Sequence, residues 1–166
     1  MNIDLGCGKN KKPGYIGFDL INADISCNLE SGIPCHDNSV DKVYSSHFLE
    51  HAKDPVFILN EIYRVLKTGG TAEIIVPHFS NIGAYHCLHK TFWNVRGLDF
   101  VEKSHPHHFY SDKINFKILQ RKIEFRHLHI FERLINSKPK ISRMYEHWLS
   151  SIFRAYQIRI IIQKED

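Results

Sequence analysis

Two glycines flanking a cysteine, Gly6-Cys7-Gly8, follow directly on the short apolar alternation Ile3-Asp4-Leu5, and ten residues separate Gly8 from Asp19, which closes the segment Tyr15-Ile16-Gly17-Phe18. A glycine turn at the carboxyl end of a strand lets a ligand's polar groups approach the backbone, because no Cβ intervenes. An acid ending the next strand is a device for holding both hydroxyls of an adenosine ribose, with a simple strand-end turn acid as the plainer alternative for Asp19. The dinucleotide fingerprint G-x-G-x-x-G needs a third glycine where Lys11 stands, which disfavours nicotinamide and flavin chemistry.

Imidazole is the second chemical resource, with twelve histidines in the chain. Histidine exchanges protons near neutrality, so His47, His51, His78, His86, His89, His105, His107 and His108 are candidate bases. For each one taken singly a surface or hydrogen-bonded core role is the default, and His51 is expected to fix the start of the helix that follows it. His86-Cys87 with His89, or His105 with His107 and His108, also have the donors zinc prefers. Adjacent positions converge on one ion only across a sharp loop, so no metal site is assigned. The four cysteines form no C-x-x-C pair and are expected to be reduced core or loop residues.

These residues need a scaffold, and the pattern around them supplies one. Strands are expected at Ile3–Leu5, Tyr15–Asp19, Ala23–Cys27 and, behind the turn cluster Asp37-Asn38-Ser39, Val40–Ser46. Asp54-Pro55 reads as a helix cap followed by proline in the first turn. Val56, Leu59, Ile62, Tyr63 and Leu66 then recur at helical spacing up to a stop at Gly69-Gly70. Thr71–Pro77 is a fifth strand, and strand, helix, strand in this order implies right-handed crossovers and a parallel sheet. From His78 to Tyr110 the period dissolves into histidine- and aromatic-rich sequence, expected to be an insert or lid with short helices. Ile114–Arg126 recovers strand character, Met144, Trp148, Ile152 and Tyr156 lie four apart as on one helical face, and Gln157–Gln163 is a terminal strand. No repeat or linker interrupts the chain, so residues 1–166 are expected to form a single domain.

Composition agrees with a globular protein: 43% hydrophobic and 24% charged over 166 residues argues against disorder, collagen and coiled coil. No apolar run is long enough to span a bilayer, and the first residues lack a signal-peptide pattern, so a cytoplasmic protein is expected. Lys117–Arg143 carries eight Lys/Arg against Glu124 and Glu132. With Phe125, Phe131 and Tyr145 interleaved, this stretch raises an RNA- or polyanion-binding module as an alternative, though a solvated basic face over core aromatics is the default.

Five ordered motifs decide between these readings: Asp4-Leu5-Gly6-Cys7-Gly8; Gly17-Phe18-Asp19; Asp37-Asn38-Ser39-Val40-Asp41; His47-Phe48-Leu49-Glu50-His51; and Arg64-Val65-Leu66-Lys67-Thr68-Gly69-Gly70. Over roughly residues 3 to 77 the chain resembles the class I S-adenosylmethionine-dependent methyltransferases, particularly the small type 11 methyltransferase domain. The resemblance implies an α/β, Rossmann-like methyltransferase sheet of seven strands, mostly parallel with an antiparallel last strand, and helices on both faces. It implies S-adenosyl-L-methionine as cofactor, with Gly6 and Gly8 at its methionine part, Asp19 at the ribose, Asn28 beside Leu29 at the adenine, and Ser46 and His47 on the methyl-transfer face. Asp4, Cys7 and Leu20 complete the expected cofactor set, and His47 and His89 are the expected catalytic residues. The first helix is nearly absent, so the pocket is expected to be open, or closed by the histidine-rich segment or by a second subunit of a homodimer. The acceptor is expected to be a small molecule or a sugar- or carrier-linked metabolite rather than nucleic acid. No Asn/Asp-Pro-Pro-Tyr motif is present, which tilts the acceptor atom toward oxygen or carbon.

Overall fold

The computed structural model describes residues 1–108 and 113–166, so positions 109 and 110 of the expected lid lie outside the described residues. Strands Asn2–Leu5 (β1), Ile16–Asp19 (β2), Ile25–Ser26 (β3), Val40–Ser46 (β4), Leu66–Pro77 (β5), Phe116–Glu124 (β6) and Gln157–Lys164 (β7) form one seven-stranded sheet in the order β3-β2-β1-β4-β5-β7-β6. The first five run parallel, and β7 runs antiparallel to both β5 and β6, as expected of the class. Alternation along the strands puts Ile3, Leu5, Val43, Ile74, Val76, Ile158, Ile160 and Ile162 on one buried face.

Helix α1 (Pro55–Val65) contributes Ile58, Leu59, Ile62 and Val65 to the same core, and the segment after β5 adds Trp93, Leu98 and Val101. The start of α1 is as the sequence predicts: Asp54 accepts a hydrogen bond from the Phe57 N–H at 2.9 Å and Pro55 opens the first turn. Its end is not. The helix stops at Val65, Leu66 is already extended and pairs with Val40, and Gly69-Gly70 lie inside β5. Gly69 does have a left-handed φ of 77°, but it serves an irregularity where β4–β5 pairing shifts between Val40 and Lys42. At Gly70 a Cβ would stand 2.8 Å from the Lys67 carbonyl oxygen, so the close backbone approach requires glycine there.

Helices α2 (His129–Ile135) and α3 (Pro139–Trp148) adjoin the β6 edge and form a second apolar cluster with Ile123, Phe125 and Tyr145. The helical face expected at Met144, Trp148, Ile152 and Tyr156 is not the buried one. Met144 and Trp148 are exposed, and Ile152 and Tyr156 lie beyond the helix end. The row one residue over wins because Tyr145 is fully buried against Phe125 and Phe131, with its hydroxyl donating to the Phe153 carbonyl at 2.6 Å.

The other face of the sheet is crossed by ions. Lys12 pairs with Glu73 at 2.6 Å, Glu73 with Arg159, Arg159 with Glu124 at 2.8 Å, and Lys122 with Glu132 at 2.7 Å. No α-helix intervenes between β1, β2 and β3, so the near-absence of the first helix holds. Two of the five motifs do architectural work. The Arg64 guanidinium donates to the carbonyls of Ile33 and Cys35 and to the carboxylates of Asp37 and Glu61. The Asn38 and Ser39 N–H groups donate to the Arg64 and Val65 carbonyls. Among the described residues no helix is long and apolar enough to cross a membrane.

Candidate cofactor and acceptor site

The carboxyl ends of β1, β2 and β4 meet at the glycine turn. Gly6 donates its N–H to the Phe18 carbonyl at 2.8 Å and takes φ of 69°; a Cβ there would stand 2.5 Å from the Phe48 side chain. Gly6 is therefore required by packing as well as by conformation. Gly8, at φ 50°, has no heavy atom beyond its own chain neighbours within 4 Å of where a Cβ would be. Its N–H donates to Asp19 Oδ2 at 2.8 Å, while Asp19 Oδ1 accepts the Leu20 N–H at 2.6 Å. Asp19 thus braces the turn with both oxygens and keeps a lone pair on each for a ligand. Beside it the Leu20 and Ile21 side chains stand 64% and 68% exposed, an apolar pair with no protein surface over it.

The remaining expected cofactor residues divide by what holds them. Asp4 is buried, accepts the Lys12 N–H at 2.8 Å and so fixes the far end of the glycine loop; burial raises its carboxyl above the ordinary range. Cys7 is buried against Gly17, where a Cβ would lie 2.7 Å from its sulfur, and burial pushes its thiol pKa up. Asn28 caps a single 3-10 turn, Leu29–Ser31, by accepting the Glu30 N–H at 3.0 Å. The Leu29 side chain belongs to the core, so only its main chain can face a ligand.

Ser46 ends β4 and His47 turns away from it with φ of 54°, a conformation uncommon outside glycine. The His47 N–H still donates to the Ile75 carbonyl at 2.9 Å. Its ring Nδ1 lies 3.3 Å from Glu50 Oε1 and its Nε2 lies 3.0 Å from Gln157 Oε1. The Gln157 amide nitrogen donates to Glu124, which turns its carbonyl oxygen toward His47. Both ring nitrogens therefore face acceptors, and the Glu50 contact above all holds the His47 pKa above its ordinary value. Glu50 itself is fully buried, and its Oε2 has no hydrogen-bond partner. The sequence signal for it is the i, i+3 spacing from His47.

The other histidines separate. His51 does not fix the start of α1, which Asp54 does; its Nδ1 donates to the Leu88 carbonyl at 3.2 Å, tying the turn to the segment after β5. His89 donates from Nδ1 to the Ala84 carbonyl at 2.9 Å, and its ring meets His51 edge-on at 4.7 Å. His78 is a buried structural hub between Ser80 and Glu146. His86 accepts from the Leu88 N–H, Cys87 is exposed, and His105 accepts from the His107 N–H. Among the described residues neither zinc set considered from the sequence forms a converging group of three donors. In the basic stretch, Phe125 and Tyr145 are buried, and Arg121 and Lys122 are engaged by Asp99 and Glu132.

This sheet order and this glycine turn braced by a strand-end acid define the fold of the class I S-adenosylmethionine-dependent methyltransferases. Within that class, residues 7–74 match the family described as methyltransferase domain, the type 11 member of the group. A SAM dependent methyltransferase from Archaeoglobus fulgidus superposes with a TM-score of 0.63 at 21% identity, over 98% of this chain and 85% of that one. A chain from the Haloferax volcanii complex of the Trm112 methyltransferase activator with a methyltransferase gives 0.62 at 21%, over 99% and 82%. The [4+2]-cyclase SpnF gives 0.56 at 15%, over 99% and 75%. No curated protein sequence matches the chain.

Proposed function

We propose that the chain is an S-adenosylmethionine-dependent methyltransferase acting on a small molecule or a sugar- or carrier-linked metabolite. The observation that carries this reading is the Gly8–Asp19 pair: open space over a left-handed glycine, beside a carboxylate with unused lone pairs and an exposed apolar Leu20-Ile21 shelf. A nucleoside fits that set, with its ribose hydroxyls donating to Asp19 and its base over Leu20, while the backbone at Asn28 and Leu29 borders the base edge. Gly6, Cys7 and Gly8, with Asp4 behind them, shape the approach for the methionine part.

Bound cofactor supplies an activated methyl group on a sulfonium, so the protein's task is chiefly to hold an acceptor in line with it. Ser46 and His47 occupy the end of β4, where the acceptor enters. An acceptor that must lose a proton is served by His47 once the acceptor displaces Gln157 and Nε2 has released its own hydrogen to solvent, which leaves a lone pair there to take the proton. His89 belongs to the same side, across Glu50, on the segment that emerges from the carboxyl end of β5, where open α/β sheets bind ligands. The polyanion-binding alternative is less well supported, because Phe125 and Tyr145 are too deeply buried to stack on bases.

The same architecture in a [4+2]-cyclase makes activity the decisive measurement. Titration calorimetry with S-adenosylhomocysteine is expected to show one site, and methyl-labelled cofactor is expected to pass its label to a component of a metabolite extract. His47→Ala and His89→Ala are expected to lower turnover, the latter with cofactor affinity intact. Hydrogen exchange over residues 78–108 is expected to slow with product cofactor bound. Absence of binding at millimolar S-adenosylhomocysteine would overturn the reading.

A further inference from the structure

We propose that Glu50, His51 and His89 form a binding site for a first-row divalent cation of the zinc type. A carboxylate oxygen of Glu50 and one ring nitrogen from each histidine all lie within 4.8 Å of one another. Three donors so spaced can close on one ion with small side-chain adjustments, since zinc binds imidazole nitrogen and carboxylate oxygen at about 2.0 to 2.2 Å.

Adjacent residues rarely share an ion, and the local backbone explains why these can. Leu49–His51 is a single 3-10 turn, in which the His51 N–H donates to the Phe48 carbonyl and the Ala52 N–H to that of Leu49. The turn directs Glu50 inward, where it is fully buried, and leaves His51 half-buried above it. His89 is brought over both by hydrogen bonds to the main chain of the residues on either side of it. The Leu88 carbonyl accepts from His51 Nδ1, and the Lys90 N–H donates to the Glu50 carbonyl at 2.7 Å.

The protonation pattern points the same way. A ring nitrogen facing a carbonyl oxygen must carry the hydrogen, and both Nδ1 atoms do face one, at Leu88 for His51 and at Ala84 for His89. In the neutral rings Nε2 is therefore the lone-pair nitrogen in each case. Imidazoles that bind metals are oriented by this kind of outer hydrogen bond. The carboxylate has its own outer partner, since Glu50 Oε1 is met by His47, while Glu50 Oε2 is buried without one. A buried, unpartnered carboxylate oxygen costs free energy that a cation would recover.

Three protein donors leave coordination positions for water or a ligand oxygen, unlike a closed four-ligand structural site. The chemical class of ion follows from the donors. Two nitrogens and one oxygen favour zinc, cobalt or iron over magnesium and calcium, which take oxygen sets. None of the three donors belongs to the Gly8–Asp19 pair and the test needs no cofactor, so failure of this proposal is distinguishable from failure of the methyltransferase reading.

The test is equilibrium dialysis of the full chain, stripped with chelator, against Zn²⁺ and Co²⁺, without cofactor, followed by metal analysis. One equivalent of Zn²⁺ is expected, with at least about 100-fold weaker binding in His51→Ala and His89→Ala, because even outer-shell changes cost 10- to 100-fold. Glu50→Gln, which keeps the buried volume, is expected to weaken binding similarly. Circular dichroism checks that each variant folds, and His86→Ala with Cys87→Ser is expected to bind as wild type. No stoichiometric binding, or binding unchanged in folded His51→Ala and His89→Ala, overturns the proposal. Loss of binding only in the His86 and Cys87 variant overturns it as well.

Discussion

Removal of the Asp19 carboxylate gives the sharpest test of the cofactor site. Each of its oxygens already accepts a backbone N–H, from Gly8 at 2.8 Å and Leu20 at 2.6 Å, and each has one further lone pair for a ribose hydroxyl. Two such bonds at a partly exposed site contribute about 1.5 to 3 kcal/mol together. Asp19→Ala is thus expected to weaken S-adenosylhomocysteine binding roughly 10- to 150-fold. The freed N–H groups of Gly8 and Leu20 lie near solvent, so the fold is expected to lose no more than about 1 kcal/mol. Asp19→Asn is expected to be no milder, because its amide must place a donor against one of two N–H donors. Calorimetry with a 2′-deoxyribose analogue of the product separates direct contact from loosening of the turn. Wild type is expected to discriminate against the analogue, and Asp19→Ala to discriminate less, giving a non-zero coupling in the double cycle. Affinity in Asp19→Ala within twofold of wild type, or zero coupling, would refute the reasoning and leave Asp19 a turn acid.

The other predictions contrast sites of binding with sites of folding. Gly8→Val is expected to lose some stability because a β-branched residue is strained at the left-handed φ of 50°, though nothing crowds its Cβ, and the variant that still folds is expected to lose the thermal shift produced by S-adenosylhomocysteine. Gly6→Ala is expected to lower thermal stability instead, because its methyl would overlap Phe48 at 2.5 Å. Arg64→Ala is expected to cost about 2 to 3 kcal/mol in urea unfolding by stripping donors from Glu61 and from the Ile33 and Cys35 carbonyls. The Arg64 hydrogen bond holds Glu61 below its ordinary value of 4.5, so its contribution is present above that pH and is lost as pH falls through the lowered value. Glu61→Gln is therefore expected to be less stable than wild type at pH 7 and to converge with it in acid.

Strands were legible wherever apolar alternation was bracketed by turn residues, and Val40–Ser46 has the bounds its sequence announces. The end of α1 was not, because Gly69 adopts the left-handed φ that a helix stop would use, yet does so within β5. The face of α3 was obscure for a related reason. Met144-Trp148 and Ile141-Tyr145 are equally periodic, and only the position of Phe125, just past the end of β6, selects the second. Asp19, Gly8 and His47 could be singled out from motif order. Glu50 could not be given a role, because its neighbours are set by a 3-10 turn and by His89, thirty-nine positions away. Histidines close in sequence, such as His105 and His108, instead satisfied local backbone groups, the His107 N–H and the Phe100 carbonyl.

The chain of ions running from Lys12 through Glu73, Arg159 and Glu124 across the sheet has a calorimetric consequence. A sheet covered by helices on both sides exposes two apolar faces to water when it melts. Here one of those faces releases charged and polar groups, whose hydration lowers the heat capacity of unfolding rather than raising it. The heat-capacity increment should therefore fall below the usual ~12 to 15 cal/mol/K per residue, and the stability curve should be correspondingly flat with temperature. Salt should act unevenly on such a molecule, screening the partly exposed ladder within a Debye length while leaving the isoleucine face of β7 untouched.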